Sequence, residues 1–251
     1  MIPRLVHKSI ENELFKGKLI IVAGSRQVGK TTLLEHLKKT HNEDVLWLNC
    51  DEPDIRLMLQ DVSSTRLKEL TGKHKLVFID EAQRVKNIGI TLKLWVDNLK
   101  DVQVIATGSS ALELANEINE PLTGRKREYQ LFPIATMELS QHTSKMEENR
   151  LLEQRLIYGF YPDIINFPDN AQVNLMELAD NYLYKDLLSL ESVRKPALLE
   201  KIIRALALQI GNEVSFNELS QLVGADHKTI EHYVQLLEKC FVRSEEHTSE
   251  L

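Results

Sequence analysis

Residues 18–32 read KLIIVAGSRQVGKTT. Leu19, Ile20, Ile21 and Val22 form an apolar run short enough for one buried strand. Gly24 to Thr31 then fit G-x-x-x-x-G-K-[ST] without a mismatch, and Leu33, Leu34 and Leu37 follow at helical spacing. Strand, glycine loop and helix in that order are the setting in which this motif cradles phosphate. An ordinary glycine turn would not need all eight residues of the pattern.

The residue types follow from the chemistry. Gly24 and Gly29 let the backbone turn tightly and aim N–H groups at phosphate oxygens. The following helix adds its positive amino end to the same anion. Lys30 supplies a compact cation for the β- and γ-phosphates, and the Thr31 hydroxyl is a ligand for Mg2+. Gly24, Ser25, Arg26, Gln27, Val28, Gly29, Lys30, Thr31 and Thr32 are therefore the expected nucleotide-binding residues.

Three further apolar runs extend this beginning into a sheet: Val45 to Leu48, Lys75 to Asp80, and Val102 to Ala106. A buried parallel strand reads as a continuous apolar run. KLVFID ends in Asp80-Glu81, at the strand end where ligands bind in doubly wound sheets. Asp80 is the candidate to hold Mg2+, directly or through water, and Glu81 the candidate general base for the attacking water. VQVIA ends in Thr107-Gly108-Ser109-Ser110. Thr107 and Ser109 are candidates to sense the γ-phosphate or position the water; a helix cap is the alternative, most strongly for Ser109 and Ser110. Glu128 to Leu131 offers a fifth strand. Before it, Arg125 in LTGRKR could reach a γ-phosphate in its own subunit or a neighbour's, or form a solvated basic turn. The expected fold is α/β, a doubly wound parallel five-stranded sheet over residues 1–140, with a lead-in helix within 1–16 whose Arg4 touches a base or is solvated.

Composition fits a water-facing globular protein. The 251 residues are 43% hydrophobic and 27% charged, with a net charge of −6. A net negative chain has no global field for nucleic acid, so any such contact must be local. Cys50 and Cys240, the only two cysteines, form no metal-type cluster and read as reduced thiols. No apolar run reaches membrane-spanning length and no secretory signal opens the chain, so a cytoplasmic location is expected.

Beyond the sheet, the polar stretch Gln141 to Arg150 reads as a linker. Leu151 to Leu190 reads as helical, broken at Gly159-Phe160-Tyr161-Pro162, and residues 141–195 are taken as a helical lid. From Pro196 to Val242 three helices, with Gly224-Ala225 before the last, suggest a winged helix-turn-helix module. Its bases are Lys201, Arg204, Lys228 and Lys239; its acids are Glu200, Glu213, Glu218, Asp226, Glu231 and Glu238. Four against six leaves it acidic, so protein contact competes with DNA contact. Arg243 to Leu251, RSEEHTSEL, is similar to the translation of a widely used sequencing-library adapter. It is read as non-native and kept out of fold reasoning, with the last module cut short.

These residues together resemble a family of prokaryotic AAA+-type P-loop ATPases. The resemblance lies in GSRQVGKTT (24–32), VFIDEAQ (77–83), ATGSS (106–110), LTGR (122–125), FPIATMEL (132–139), GFYP (159–162) and YLYKDLL (182–188), across nearly all of residues 1–242. It implies ATP binding and hydrolysis with Mg2+, a core with an additional strand, and Arg125 facing phosphate. Members add a winged helix and a C-terminal domain similar to restriction endonucleases; this chain departs from them in lacking that domain, and no nuclease role is assigned. Two functions are expected to compete: an ATPase working as a switch or weak motor, and a nucleotide-gated DNA-binding or regulatory protein with slow hydrolysis.

Overall fold

Strand β1 (Leu19–Ala23) is buried at all five positions, because the sheet is covered on both faces. The structure is a computed structural model that describes residues 2–41, 44–108, 122–180, 193, 195–240 and 242. Ser109 and Ser110, the stretch containing Tyr182, Leu183 and Leu187, and the tail Arg243–Leu251 lie outside the described residues.

The remaining strands are β2 (Val45–Asn49), β3 (Leu76–Asp80), β4 (Gln103–Gly108) and β5 (Lys126–Gln130). They pair in parallel in the order β2-β3-β4-β1-β5. β4 inserts between β1 and β3, as the additional-strand core requires. Side chains alternate across the pleat. Leu19, Ile21, Val77, Ile79, Val104 and Ala106 face one core. Ile20, Val22, Phe78 and Ile105 face the other.

Helices α1 (Leu5–Glu13) and α2 (Lys30–Thr40) lie over the second core through Ile10, Leu33, Leu34 and Leu37. Helices α3 (Pro53–Leu59), α4 (Ser64–Thr71) and α5 (Ile88–Asn98) lie over the first through Leu59, Leu67, Leu92 and Trp95. The sheet is therefore doubly wound; β1 is apolar throughout, β3 is apolar up to Asp80, and β4 carries polar residues near both ends, Gln103 and Thr107.

The polar run at 141–150 is not a linker. It is covered by α6 (Thr136–His142) and α7 (Lys145–Arg150), followed by α8 (Leu152–Tyr158), α9 (Pro162–Asn166) and α10 (Ala171–Ala179). Ser144 caps α7 by accepting from the Glu147 amide, and the buried Glu148 carboxylate pairs with Arg155 Nε at 3.1 Å. Glu148 is the buried charge of this stretch and is paired; the other residues of 141–150 are exposed.

The chain divides into two compact units, Met1–Asn174 and Leu175–Leu251. The division falls inside the region expected to form one lid, because α6 to α9 belong to the first unit. In the second, α11 (Pro196–Ala207), α12 (Phe216–Val223) and α13 (His227–Lys239) pack around Leu199, Ile202, Leu219, Ile230, Val234 and Leu237. Gly224, at φ +73°, ends α12, and the Asp226 side chain caps α13 by accepting from the Thr229 amide. The three helices stand where the sequence puts them. Among the described residues no helix is long and apolar enough to cross a membrane.

Candidate functional site

All the strand ends that matter point one way, because the sheet is parallel. β1 runs into the loop Gly24–Gly29, β3 into Asp80 and Glu81, and β4 into Thr107. Ala23 is in register with Gly108, and the Gly24 amide donates to the Gly108 carbonyl at 3.3 Å. Register alone thus brings three segments of distant sequence to one edge.

The loop is tightly built. A Cβ on Gly24 would lie 2.4 Å from the Leu131 carbonyl oxygen, so only glycine fits. Gly29 sits at φ +97° and Gln27 at φ +58°, both left-handed. Lys30, 5% exposed, donates from Nζ to the carbonyls of Gly24 at 2.9 Å and Ser25 at 2.8 Å. Burial holds the Lys30 ammonium below its ordinary pKa; the Glu81 and Asp80 carboxylates oppose that shift and the Arg26 cation adds to it. Val28 is buried beneath the loop, Gln27 is exposed, and Thr32 lines a cavity beside it.

Asp80 is the centre of the polar network. The Thr31 hydroxyl donates to Asp80 Oδ2 at 2.8 Å, and the buried Thr107 hydroxyl donates to Asp80 Oδ1. Thr107 in turn accepts from the Glu81 amide at 3.2 Å. Glu81 adopts φ +53°, uncommon for a residue with a side chain, and its carboxylate accepts from Gln83 Nε2. Lys30, Thr31, Asp80, Glu81 and Thr107 therefore converge. A hydroxyl and a carboxylate side by side are hard oxygen donors of the kind Mg2+ takes. Nearby, burial pushes the Cys50 thiol up to about 12, with Asp80 and Asp51 adding, so it stays protonated.

Arg125 is not brought to this site within its own chain. β5 runs parallel to β1 with Leu19 opposite Lys126, and Arg125 precedes it, at the amino end of the sheet. Five residues of strand, about 16 Å, separate that end from the phosphate loop. Arg125 Nε instead pairs with Asp97 at 2.8 Å. The charge was legible in the sequence, but not the end of the strand that carries it.

Two residues at the site had no clear signal. Arg4 is not simply solvated: it lines the cavity beside Gly29. Its guanidinium bonds Glu138 Oε2 at 3.1 Å, the Val28 carbonyl at 3.0 Å and the Phe132 carbonyl. Buried Glu138 also accepts from the amides of Leu5 at 2.7 Å and Ala135 at 2.9 Å, tying the lead-in to the loop. The Tyr161 hydroxyl donates to Ser25 Oγ at 2.9 Å. Only their places in FPIATMEL and GFYP marked Glu138 and Tyr161 at all. A cavity of about 150 Å³ opens next to the loop, between Gly29, Thr32 and His36 on one side and Ile2, Ile134 and Pro162 on the other.

Comparison with known proteins bears on the family and the fold. A family described as an AAA domain matches residues 16–140, and a family described as a domain of unknown function matches residues 149–247. An uncharacterized protein of Methanocaldococcus jannaschii is 26% identical over 238 residues, covering 88% of this chain and 53% of that protein. Replication-associated recombination protein A of Escherichia coli is 22% identical over 224 residues, covering 84% of this chain and 48% of that protein. The chain thus spans about half the length of these curated relatives, 53% and 48%. Among solved structures, the Walker-type ATPase PABY2304 of Pyrococcus abyssi shares the fold at a TM-score of 0.65 and 17% identity, over 98% of this chain and 91% of its own. By its phosphate loop, its strand order and its family match, the chain belongs to the prokaryotic AAA+-type P-loop ATPases.

Proposed function

We propose that the chain binds ATP with Mg2+ on residues 24–32 and hydrolyses it, as a conformational switch or weak motor. The observation that carries this reading is the bond between the Thr31 hydroxyl and Asp80, 2.8 Å long across 49 residues of sequence. It joins the end of the phosphate loop to the end of an apolar strand, as a shared metal–triphosphate site requires. Thr31 and Asp80 would hold the Mg2+, which supplies neutralisation of charge on the phosphate oxygens.

The protein's own groups do the rest. Backbone amides of the loop and the Lys30 ammonium bind the β- and γ-phosphate oxygens. Glu81 accepts a proton from water on its carboxylate as the water oxygen bonds to the γ-phosphorus. The bond from that phosphorus to the β–γ bridging oxygen breaks, and ADP leaves with the electron pair. Gln83 steadies the Glu81 carboxylate, and Thr107 fixes Asp80 and Glu81 relative to one another. The cavity beside Gly29 sets apolar wall from Ile2, Leu33, Ile134 and Pro162 beside polar groups of Arg4 and Asn166, a mixture suited to a nucleobase.

Glu81→Gln tests the assignment. It should keep ATP affinity within a factor of about three while lowering turnover by about 10²- to 10⁴-fold. Phosphate release and nucleotide titration measure the two separately, and wild-type turnover in the variant would remove Glu81 as the base.

A second reading, a nucleotide-gated DNA-binding protein with slow hydrolysis, has one specific support. The helices α12 and α13 are joined by a short turn at Gly224–Asp226, the layout of a helix-turn-helix. One relative is also named for replication-associated recombination. Mobility shift of duplex DNA with and without ATP separates the two readings.

A further inference from the structure

We propose that Tyr161 is a positioning residue that couples the phosphate loop to the segment 159–166, so that this segment reports whether ATP or ADP is bound. The inference rests on the ATPase reading and adds to it the piece of chain that responds to nucleotide state.

The contact joins residues 136 apart in sequence: the Tyr161 hydroxyl donates to Ser25 Oγ at 2.9 Å. Ser25 is only 2% exposed and is the second residue of the loop. Its carbonyl accepts from Lys30 Nζ at 2.8 Å. The phenol therefore meets the loop beside the ammonium that takes the terminal phosphates. Tyr161 is also the residue immediately before α9, and Pro162, Asp163 and Asn166 of α9 line the cavity at Gly29. The Pro162 ring lies 3.9 Å from where a Cβ on Gly29 would stand. One short segment thus touches both ends of the nucleotide site, through Tyr161 at the phosphate end and through Pro162 at the other.

The chemistry of the hydroxyl pair gives the coupling its sign. Tyr161 spends its proton on Ser25, so the Ser25 hydroxyl keeps its own proton to donate. A phosphate oxygen is a charged acceptor, and bonds to charged groups are about twice as strong as neutral ones. When the γ-phosphate takes the Ser25 proton, the serine oxygen becomes a better acceptor for Tyr161, because hydrogen bonds in a chain polarise one another. ADP lacks the phosphate that completes the chain. Burial pushes the Tyr161 phenol pKa up, so the donor keeps its proton at neutral pH. On one side of the hinge Gly159 has φ +80°, and the Phe160 carbonyl is anchored by the Ile134 amide at 2.9 Å. The segment can therefore be held or released at Tyr161 without disturbing α8, the helix that precedes it.

The test compares amide hydrogen exchange over residues 159–167 in wild type, Tyr161→Phe and Ser25→Ala, each with a non-hydrolysable ATP analogue or with ADP. In wild type the analogue should slow exchange about fivefold relative to ADP, the worth of one hydrogen bond. Both variants should lose that difference at saturating nucleotide. Tyr161→Phe should still bind nucleotide by calorimetry, with the ATP-over-ADP affinity ratio falling by about the same factor. Ser25→Ala, a change in the phosphate loop itself, is compared only at concentrations where calorimetry shows it saturated. Ser25→Ala removes the bond from its other end, so misfolding of one variant leaves the other to decide. Protection that persists in either folded variant overturns the coupling and leaves the ATPase reading standing. Equal exchange with the two nucleotides in wild type does the same. A wild type that binds no ATP overturns both.

Discussion

Gly24 shows how little freedom the site leaves a single residue. A Cβ there would stand 2.4 Å from the Leu131 carbonyl oxygen, a backbone atom that cannot swing away. Gly24→Ala should therefore push β1 and the chain after β5 apart, costing about 1–3 kcal/mol and abolishing tight ATP binding. A urea melt and a nucleotide titration would show both; a variant with wild-type stability and affinity would mean the loop is softer than it looks. The glycines, Lys30 and Thr31 were legible in the sequence because phosphate chemistry demands those residue types at fixed spacing. Asp80 and Glu81 were legible because acids end an apolar run. Arg4 and Tyr161 were not, since their partners lie 134 and 136 residues away and no local spacing encodes such a meeting. For Arg125 the sequence left several readings open, and the structure rules out only the phosphate of its own chain. Its residue type suits a phosphate, but its position opposite the start of β1 puts it at the wrong end of the sheet.

At the scale of elements, the strands were readable and the helices after them only partly so. β1, β3 and β4 announce themselves because strands buried on both faces must be apolar throughout. β5 lies at the edge and opens on three consecutive charged residues, Lys126, Arg127 and Glu128, so it starts before the expected Glu128–Leu131. The end of α6 and all of α7 fall in the stretch Gln141–Arg150 that reads as a linker, because it is short and charged. A usable signal was present: Ser144 followed by Glu147 is the start of a capping pattern, and Ser144 does accept from the Glu147 amide. What holds these elements to the nucleotide core is the Arg4–Glu138 pair, with side chains 11% and 6% exposed. Glu138 also satisfies the amides of Leu5 and Ala135, so it joins the residue before α6 to the start of α1. Removing one partner of a buried pair leaves the other charge uncompensated. Glu138→Ala should therefore cost about 3 kcal/mol and also weaken ATP binding, because Arg4 loses its anchor while bonded to the Val28 carbonyl of the loop. Chemical denaturation with and without ATP measures both effects. Lost stability with unchanged nucleotide affinity would confine the pair to a packing role.

For the whole molecule, the question is what a nucleotide-driven first unit acts upon. The second unit has the helix order of a DNA reader, and shape alone would favour that use. Affinity for DNA, however, is dominated by phosphate contacts from Lys and Arg, and each contact makes binding more sensitive to salt. Between Pro196 and Val242 four such residues face six acids, and the whole chain carries −6. Four of the six, Glu218, Asp226, Glu231 and Glu238, lie on or next to α12 and α13, the helices that would have to approach the groove. Asp226 is committed to capping α13 and cannot turn away without uncapping it. Its carboxyl is held below the usual range by those Thr229 hydrogen bonds, so it remains anionic at neutral pH and repels phosphate. A duplex of arbitrary sequence should therefore show no mobility shift at physiological salt, with or without ATP. At low salt its affinity should be no better than about 10⁻⁴ M, the weak end of non-specific binding. Charge of this sign suits contact with protein rather than with nucleic acid. A tight complex with a steep salt dependence would reverse that assignment and bring the DNA-gated reading forward, with the basic contacts then to be sought outside Pro196–Val242.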